Sequence, residues 1–519
     1  MTIQGNPKGG QILIAQSLMP ASVSRLFDYH ARAGAFERLM PPWQQMRLLA
    51  RPLSDNPDYP LLGIGAGVDL RVRLTPPGLP PIFAPMRARH VGFDAGRFFA
   101  DEQLEGPFAA WKHTHTFLSA EGHTNQSILH DQADFALPGG GLGWALAKGA
   151  ASRELERLFS YRHARTRLDL WRGGNTLHSM SGQSGADSGL GHAPRPQRIA
   201  ISGANGLIGS QLWSYWSTAG HTIAKLVRRQ PEANSTDASS GVQEIFFQPG
   251  AGTNGGQLDS AALEAFGADA VVHMAGEPIG TGRWTPEKLE AIRSSRVEGT
   301  KLLCRALAES RHKPSTLIVA SGIHFYGDRG DDELAEDSGV GSGFLSEVSR
   351  DWEQATEPAR AAGIRVVLLR IGMVVTPRGG FLAEALPYFN LGLGAVPGNG
   401  KQWYSWIALE DVVNVCDTML HHEWLKGAYN VVSPTPMRAR DFCAEIAQHT
   451  ERPLAMNVPA PLLKLIFGKK SEVLTTSTRA MPERLRQAGF RHSYPSLREA
   501  LDWEMGVFSK SDPMSSESP

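Results

Sequence analysis

Residues Arg198–Gly209 read RIAISGANGLIG, and this stretch decides the fold. RIAISG (Arg198–Gly203) has the length and apolar composition of a buried strand, and Leu207–Ala219 continues at helical spacing. Between them stands GANGLIG (Gly203–Gly209), in the strand–turn–helix context that a dinucleotide fingerprint requires. Gly203 permits the tight turn, Gly206 lets a pyrophosphate approach the backbone, and Gly209 lets helix and strand pack closely. Free N–H groups at the helix start, at and beside Asn205, Leu207 and Ile208, then face the phosphates.

The pattern repeats on the C-terminal side. HTIAKLVR (His221–Arg228) and AVVHMAG (Ala270–Gly276) read as strands, followed by helix Pro286–Ser310, strand Ser315–Ser321, helix Phe344–Ala362 and strand Arg365–Ile371. This alternation predicts an α/β Rossmann fold, a doubly wound parallel sheet. Ala275 and Gly276, at the end of HMAG, join the expected cofactor site. The second strand ends at Arg228 and Arg229. An acidic residue there would bind ribose hydroxyls, whereas a basic one accommodates a 2′-phosphate. The expected cofactor is therefore NADP, with NAD as the alternative.

The chain has 519 residues, more than one hydrophobic core usually serves. Lys+Arg and Asp+Glu are both 52, so it lacks the basic footprint of a protein that holds nucleic acid by bulk charge. Cys304, Cys416 and Cys443 are too few and too scattered for a disulfide framework or a structural zinc site. No signal peptide or membrane-spanning run is legible, and a reduced, cytoplasmic setting is expected. Gly173–Pro196, rich in Gly, Ser and Pro, reads as a flexible linker, and SKSDPMSSESP as a disordered tail. The expected domains are 1–172, the linker 173–196, a Rossmann domain 197–430, a small C-terminal α+β domain 431–508 and the tail 509–519. Cleavage in the linker is expected to release two soluble fragments.

The N-terminal part offers strand candidates Gln11–Leu18, Gly67–Leu74, Met86–Asp94, Arg97–Leu104, Trp111–Ser119 and Thr124–Phe135. A short helix lies in Ala21–Gly34 and a long one at Trp144–Trp171. This α+β helix-grip order, with FERLMPPW (Phe36–Trp43), resembles START-like (SRPBCC) ligand-binding domains. The resemblance implies a cavity for a hydrophobic ligand.

EPIGTGRWTPEKLEAIRSSRVEGT (Glu277–Thr300), LRIGMVVTPRGG (Leu369–Gly380) and RAMPERLRQAGFRHSYPSLREAL (Arg479–Leu501) are more specific. Together they resemble the epimerase-like group of extended short-chain dehydrogenases/reductases, over roughly Arg198–Trp503. The resemblance implies hydride transfer on a small carbonyl or hydroxyl substrate. In that superfamily a serine and a Tyr-x-x-x-Lys pair move the proton.

This chain departs from that pattern. In ASGIHFYGDRG (Ala320–Gly330), Gly322 stands at the usual serine position, with Ser321 one place earlier. Phe344 and Val348 stand where Tyr and Lys are expected. Tyr326 and Ser321 are the remaining candidates for proton transfer. Glu347, Arg350 and Glu353 on the replacement helix, and Arg283 and Trp284 after HMAG, are lesser ones. Asp411 is expected to cap or anchor the helix after WYSWIALEDVV (Trp403–Val413). His113 and His115 share a strand face but have no Cys or carboxylate at ligand spacing, so no metal is expected. The missing pair leaves a second expectation open, a non-catalytic dinucleotide-binding redox sensor or regulator.

Overall fold

Alternating apolar and polar residues in the N-terminal part build one antiparallel sheet. The computed structural model describes residues 1–5, 10–73, 75, 82–175, 195–230, 236–237, 242–250 and 256–508. The eight strands are β1 (Thr2–Gly5), β2 (Gln11–Met19), β3 (Met46–Ala50), β4 (Gly67–Arg73), β5 (Phe83–Asp94), β6 (Phe98–Glu105), β7 (Ala110–Ser119) and β8 (Ser127–Ala136). They lie in the order β1-β2-β8-β7-β6-β5-β4-β3. Every second residue of β8 is buried: Ser127, Leu129, Asp131, Ala133 and Phe135. Helices α1 (Val23–Ala31) and α2 (Ala35–Leu39) follow β2, and the long helix α3 (Gly140–Asn175) lays Leu155, Leu158 and Phe159 on the sheet. Between sheet and helix lies a cavity of about 1010 Å³. Two strands, β1 and β3, were not anticipated from the sequence.

The second sheet is parallel along its main path. Its seven parallel strands run Val242–Gln248, Thr222–Val227, Arg198–Ser202, Ala270–His273, Thr316–Gly322, Arg365–Ile371 and Gly427–Val431 in spatial order, with the short Thr236–Asp237 and Gln257–Leu258 pairing antiparallel to the first. Strand order reverses between Arg198–Ser202 and Ala270–His273, the point where such sheets open a crevice at their carboxyl ends. Strand Val242–Gln248 was missed in the sequence. The single helix expected over Phe344–Ala362 is two, Phe344–Gln354 and Glu357–Ala361. Pro358 lacks an amide hydrogen and clashes with a preceding turn, so it opens a new helix instead of continuing the old one.

The small C-terminal unit does not begin cleanly at Val431. Its core joins Val375, Leu382, Leu386, Phe389 and Trp406 to Phe442, Ile446, Leu497 and Leu501, drawing in segments from both sides of that position. The expected linker also shortens, because α3 runs to Asn175. Residues 176–194 of the linker and the whole tail lie outside the described residues. Among the described residues no helix is long and apolar enough to cross a membrane.

The two halves share a buried seam. Arg38 of α2 donates from Nε to Asp169 Oδ2 at 2.8 Å and from Nη2 to Glu410 Oε1 at 2.7 Å. Arg165 and Arg172 of α3 also donate to Glu410. Arg157 Nε reaches Met505 O at 2.8 Å, and Trp503 packs against Tyr161, which in turn meets Trp43. Fragments released by cleavage in the linker would carry the two sides of this seam.

Candidate functional site

Strand Arg198–Ser202 ends in Gly203 at φ +70°, a conformation L side chains rarely adopt. A β-carbon there would stand 2.8 Å from Ala275 N, so the turn passes directly under the neighbouring strand end. At Gly209 a β-carbon would stand 2.1 Å from Gly203 O, which is why helix and turn can close only on glycine. Gly206 differs. It is exposed, and a β-carbon would meet only Gly203 O, at 3.1 Å. Its open side is where a phosphate would lie. Helix Leu207–Ala219 starts at Gly206 with no side-chain cap, leaving its first N–H groups to an incoming anion. Asn205 is exposed at this mouth and Leu207 and Ile208 are half-buried. The residues fit a dinucleotide pyrophosphate.

The second wall comes from strand Ala270–His273. Ser202 Oγ lies 2.6 Å from His273 Nδ1 and accepts from Ala275 N at 3.3 Å, tying the two strand ends together. Gly276 is exposed, and a β-carbon there would lie 3.1 Å from Arg296 Cζ. Arg296 comes from helix Pro286–Glu309, donates to Glu277 O at 2.9 Å, and lies 5.1 Å from the Trp352 ring centroid. Burial lowers its pKa to about 10. Sequence reading missed it, although RSSRVEGT places an arginine one turn after Ile292. At the far rim Arg228 and Arg229 are both exposed, and Arg229 Nη2 pairs with Glu244 Oε2 at 2.8 Å. The two arginines are therefore unequal, with Arg229 already engaged by a carboxylate.

Strand Thr316–Gly322 and the turn Ile323–Tyr326 that follows it carry the catalytic candidates, and they do not stand alike. Ser321 Oγ donates to Glu353 Oε1 at 2.9 Å. Glu353 receives Arg370 Nε at 2.8 Å and Nη2 at 2.9 Å. Arg370 Nη1 donates to Tyr326 Oη at 2.9 Å, and Tyr326 donates to Asn430 Oδ1 at 2.7 Å. Tyr326 is 0% exposed in a small core with Ile323, Leu334 and Val432. Burial raises its pKa. Its proton goes to Asn430 and its oxygen accepts from Arg370, which ties the phenol to both residues. The phenol positions Arg370. Ser321 is buried at the other end of the same chain of bonds.

Beside them His324 Nδ1 would lie 3.3 Å from a β-carbon at Gly322, and burial with the nearby Arg296 lowers its pKa to about 4. It is a neutral imidazole at the strand end, unnoticed in the sequence. Val348 is 1% exposed, and Phe344 meets Trp284 edge-on at 6.0 Å. Glu347 pairs with Arg293, and Arg350 with Asp351, as surface helix charges do. Arg283 is exposed, while Trp284 is buried and donates to Ile279 O at 2.9 Å. Asp411 accepts Ser493 N at 2.7 Å and Tyr494 N at 3.1 Å, so it anchors the C-terminal segment and does not cap its own helix. Away from this site, the expectation that His113 and His115 lack a carboxylate is corrected: Asp101 stands opposite His113 on the neighbouring strand.

Comparison with known proteins adds a family and a shape. Residues 199–431 match the model of the NAD dependent epimerase/dehydratase family, and residues 458–504 match a domain of unknown function. An epimerase family protein of Mycobacterium bovis is 36% identical over 306 residues, 59% of this chain and 96% of that protein. A chloroplastic epimerase family protein of Arabidopsis thaliana is 32% identical over 58% of this chain and 85% of its own length. Among solved structures, a nucleoside-diphosphate sugar epimerase of Corynebacterium glutamicum superimposes with a TM-score of 0.71 at 29% identity, over 96% of this chain and 91% of that one. A human epimerase family protein solved with NADPH superimposes with a TM-score of 0.52 at 25% identity, over 60% of this chain and 98% of that one.

Proposed function

Because this chain belongs to the NAD dependent epimerase/dehydratase family, we propose that it binds NADP(H), with NAD as the weaker alternative, and acts as an oxidoreductase or epimerase-like enzyme on a small carbonyl or hydroxyl substrate. The observation that carries this reading is the intact cradle Gly203–Gly209, open at Gly206 and closed on glycine everywhere else. When bound, the dinucleotide supplies or accepts the hydride. The chain's own residues hold its pyrophosphate on the backbone of Gly206 and Leu207, with Ala275 and Gly276 as the second wall. Arg228 meets the 2′-phosphate. Ser321 orients the substrate oxygen from the strand end, and Glu353 holds the serine in place.

One specific observation favours a second reading. Phe344 and Val348 replace the proton-moving pair, and Tyr326 is locked in the core. A dinucleotide-binding sensor without turnover needs no proton donor. In either case we assign residues 1–172 to a START-like domain whose cavity takes a hydrophobic ligand, and the C-terminal unit to the substrate side of the crevice. The three buried free thiols suit a reducing, cytoplasmic compartment.

Calorimetry tests the shared premise. NADPH binds the unmodified protein and not Gly206→Asp, whose carboxylate would meet the pyrophosphate. Equal affinity of both proteins removes the reading. NADPH oxidation against quinones, aldehydes and sugar nucleotides then separates the two. Turnover on any of them establishes the enzyme, and tight binding without turnover across the panel favours the sensor.

A further inference from the structure

We propose that Asp101, His113 and His115 bind one divalent transition-metal ion of the zinc or ferrous class inside the N-terminal cavity. The argument begins with strand register. β6 and β7 pair so that Asp101 faces His113, and β7 and β8 pair so that His115 faces Asp131. Directly opposed residues of antiparallel strands point to one face, as do residues two apart on a single strand. All four side chains therefore converge on the inner face of the sheet, although 30 positions separate the first from the last.

Within this group the three proposed ligands are set apart. Asp101, His113 and His115 line the cavity of about 1010 Å³, and each offers a donor atom within 4.8 Å of the others. Rotation about their side-chain bonds can bring these donors onto metal–ligand distances of about 2.0–2.2 Å. His113 Nδ1 already lies 3.6 Å from Asp101 Oδ2. His113 and His115 are 3% and 8% exposed, yet His113 Nε2 has no hydrogen-bond partner. A buried polar nitrogen left so costs about 1–3 kcal/mol; it faces Asp131 Oδ2 at 3.9 Å, while Nδ1 is the atom turned to Asp101 and the metal position.

Asp131 occupies the layer behind. It does not line the cavity, and its Oδ1 lies 2.7 Å from His115 Nδ1 while its Oδ2 lies 3.9 Å from His113 Nε2. His163 of α3 holds it in turn, with Nε2 3.1 Å from Oδ2 and Nδ1 2.9 Å from Ser17 Oγ. A carboxylate behind metal-bound imidazoles fixes ring orientation and raises ligand basicity. Two imidazoles and one carboxylate suit zinc or ferrous iron, and three protein ligands leave coordination positions open. Those positions face the cavity, so its occupant is a molecule with an apolar body and an oxygen or nitrogen donor. Arg162 also lines the cavity, with its buried Nε unpartnered, and favours a donor group carrying negative charge.

The site is independent of the dinucleotide reading and is tested on the full chain. Protein treated with a chelator and dialysed is titrated with Co²⁺ and followed by its visible d–d bands, then by displacement with Zn²⁺. The expected result is one Co²⁺ per chain. Asp101→Asn and His115→Gln, checked for folding by circular dichroism, each weaken binding by more than the roughly 10–100-fold typical of losing an outer-layer partner. Asp131→Asn weakens it within that range. Crystals soaked in Co²⁺ show an anomalous peak between the three side chains, a readout that needs no variant. Absence of binding, equal affinity in Asp101→Asn and His115→Gln, or a peak elsewhere overturns the proposal.

Discussion

Arg38 and Glu410 meet at 2.7 Å with side chains 0% and 2% exposed, although one belongs to the second helix of the chain and the other to helix Leu409–His421, which precedes the last strand of the parallel sheet. Three guanidiniums, from Arg38, Arg165 and Arg172, converge on that one carboxylate and hold its pKa well below the usual carboxylate range against the opposing effect of burial. Asp169 supplies the second negative charge.

Removing Glu410 leaves these cations buried beside a single carboxylate. Breaking a buried ion pair on one side costs about 3–5 kcal/mol. Glu410→Ala is expected to lower unfolding free energy in urea by that amount. In the unmodified protein, cleavage between residues 176 and 194 is expected to leave the fragments associated on gel filtration. Fragments that separate freely would show the seam to be weak.

Cofactor choice is expected to rest on Arg228 more than on Arg229, because Glu244 already engages the latter. A charge-assisted contact contributes about 1.5–3 kcal/mol, roughly tenfold to hundredfold in affinity. Arg228→Ala is expected to lose most of the NADP-over-NAD preference measured by calorimetry, and Arg229→Ala a smaller part. A protein that prefers NAD from the start contradicts this assignment.

Tyr326→Phe is expected to act on stability. It deprives Arg370 and Asn430 of a shared buried partner, at about 1–3 kcal/mol. Thermal melting should register that loss while NADPH affinity stays unchanged. A variant with unaltered melting temperature but an abolished turnover would restore the phenol to the chemistry.

Glu504 gives a pH dependence of unusual sign. It is 2% exposed, accepts Thr376 Oγ1 at 2.6 Å, and burial raises its pKa to about 7. The folded state then holds its proton more tightly than the unfolded state, whose glutamate titrates near pH 4.3. The stability this group contributes is complete below the unfolded pKa and is lost as pH rises through about 7, a loss of roughly 3–4 kcal/mol. Glu504→Gln is expected to flatten that part of the profile and to be the more stable protein at pH 8. Parallel profiles for the two proteins would remove Glu504 as the cause.

What could be read in advance was local. The glycine turn and its strand and helix lie within a dozen residues, and each glycine answers a contact inside or beside that span. The surroundings of Tyr326 could not be read because they are made elsewhere: Arg370 and Asn430 reach it from two other elements, Glu353 holds Arg370 from a third, and chain proximity to Ser321 says nothing about them. Asp101 was invisible as a partner of His113 for the same reason, since only the pairing of β6 with β7 brings them together. The break before Pro358 was legible from the residue itself. The amphipathic spacing on either side of it concealed the interruption.

Helix Gly380–Asn390 touches both proposed binding regions. Its start runs against the dinucleotide cradle, where a β-carbon at Gly379 would lie 3.2 Å from Leu207 Cδ1. Its other end, through Ala383, Leu386, Pro387 and Asn390, walls the N-terminal cavity. Occupants of the two proposed sites would thus lean on one helix from opposite ends. Any free energy transmitted along it is a property of the pair: if filling the cavity tightens or loosens the grip on the dinucleotide, the dinucleotide changes the grip on the cavity's occupant by the same factor.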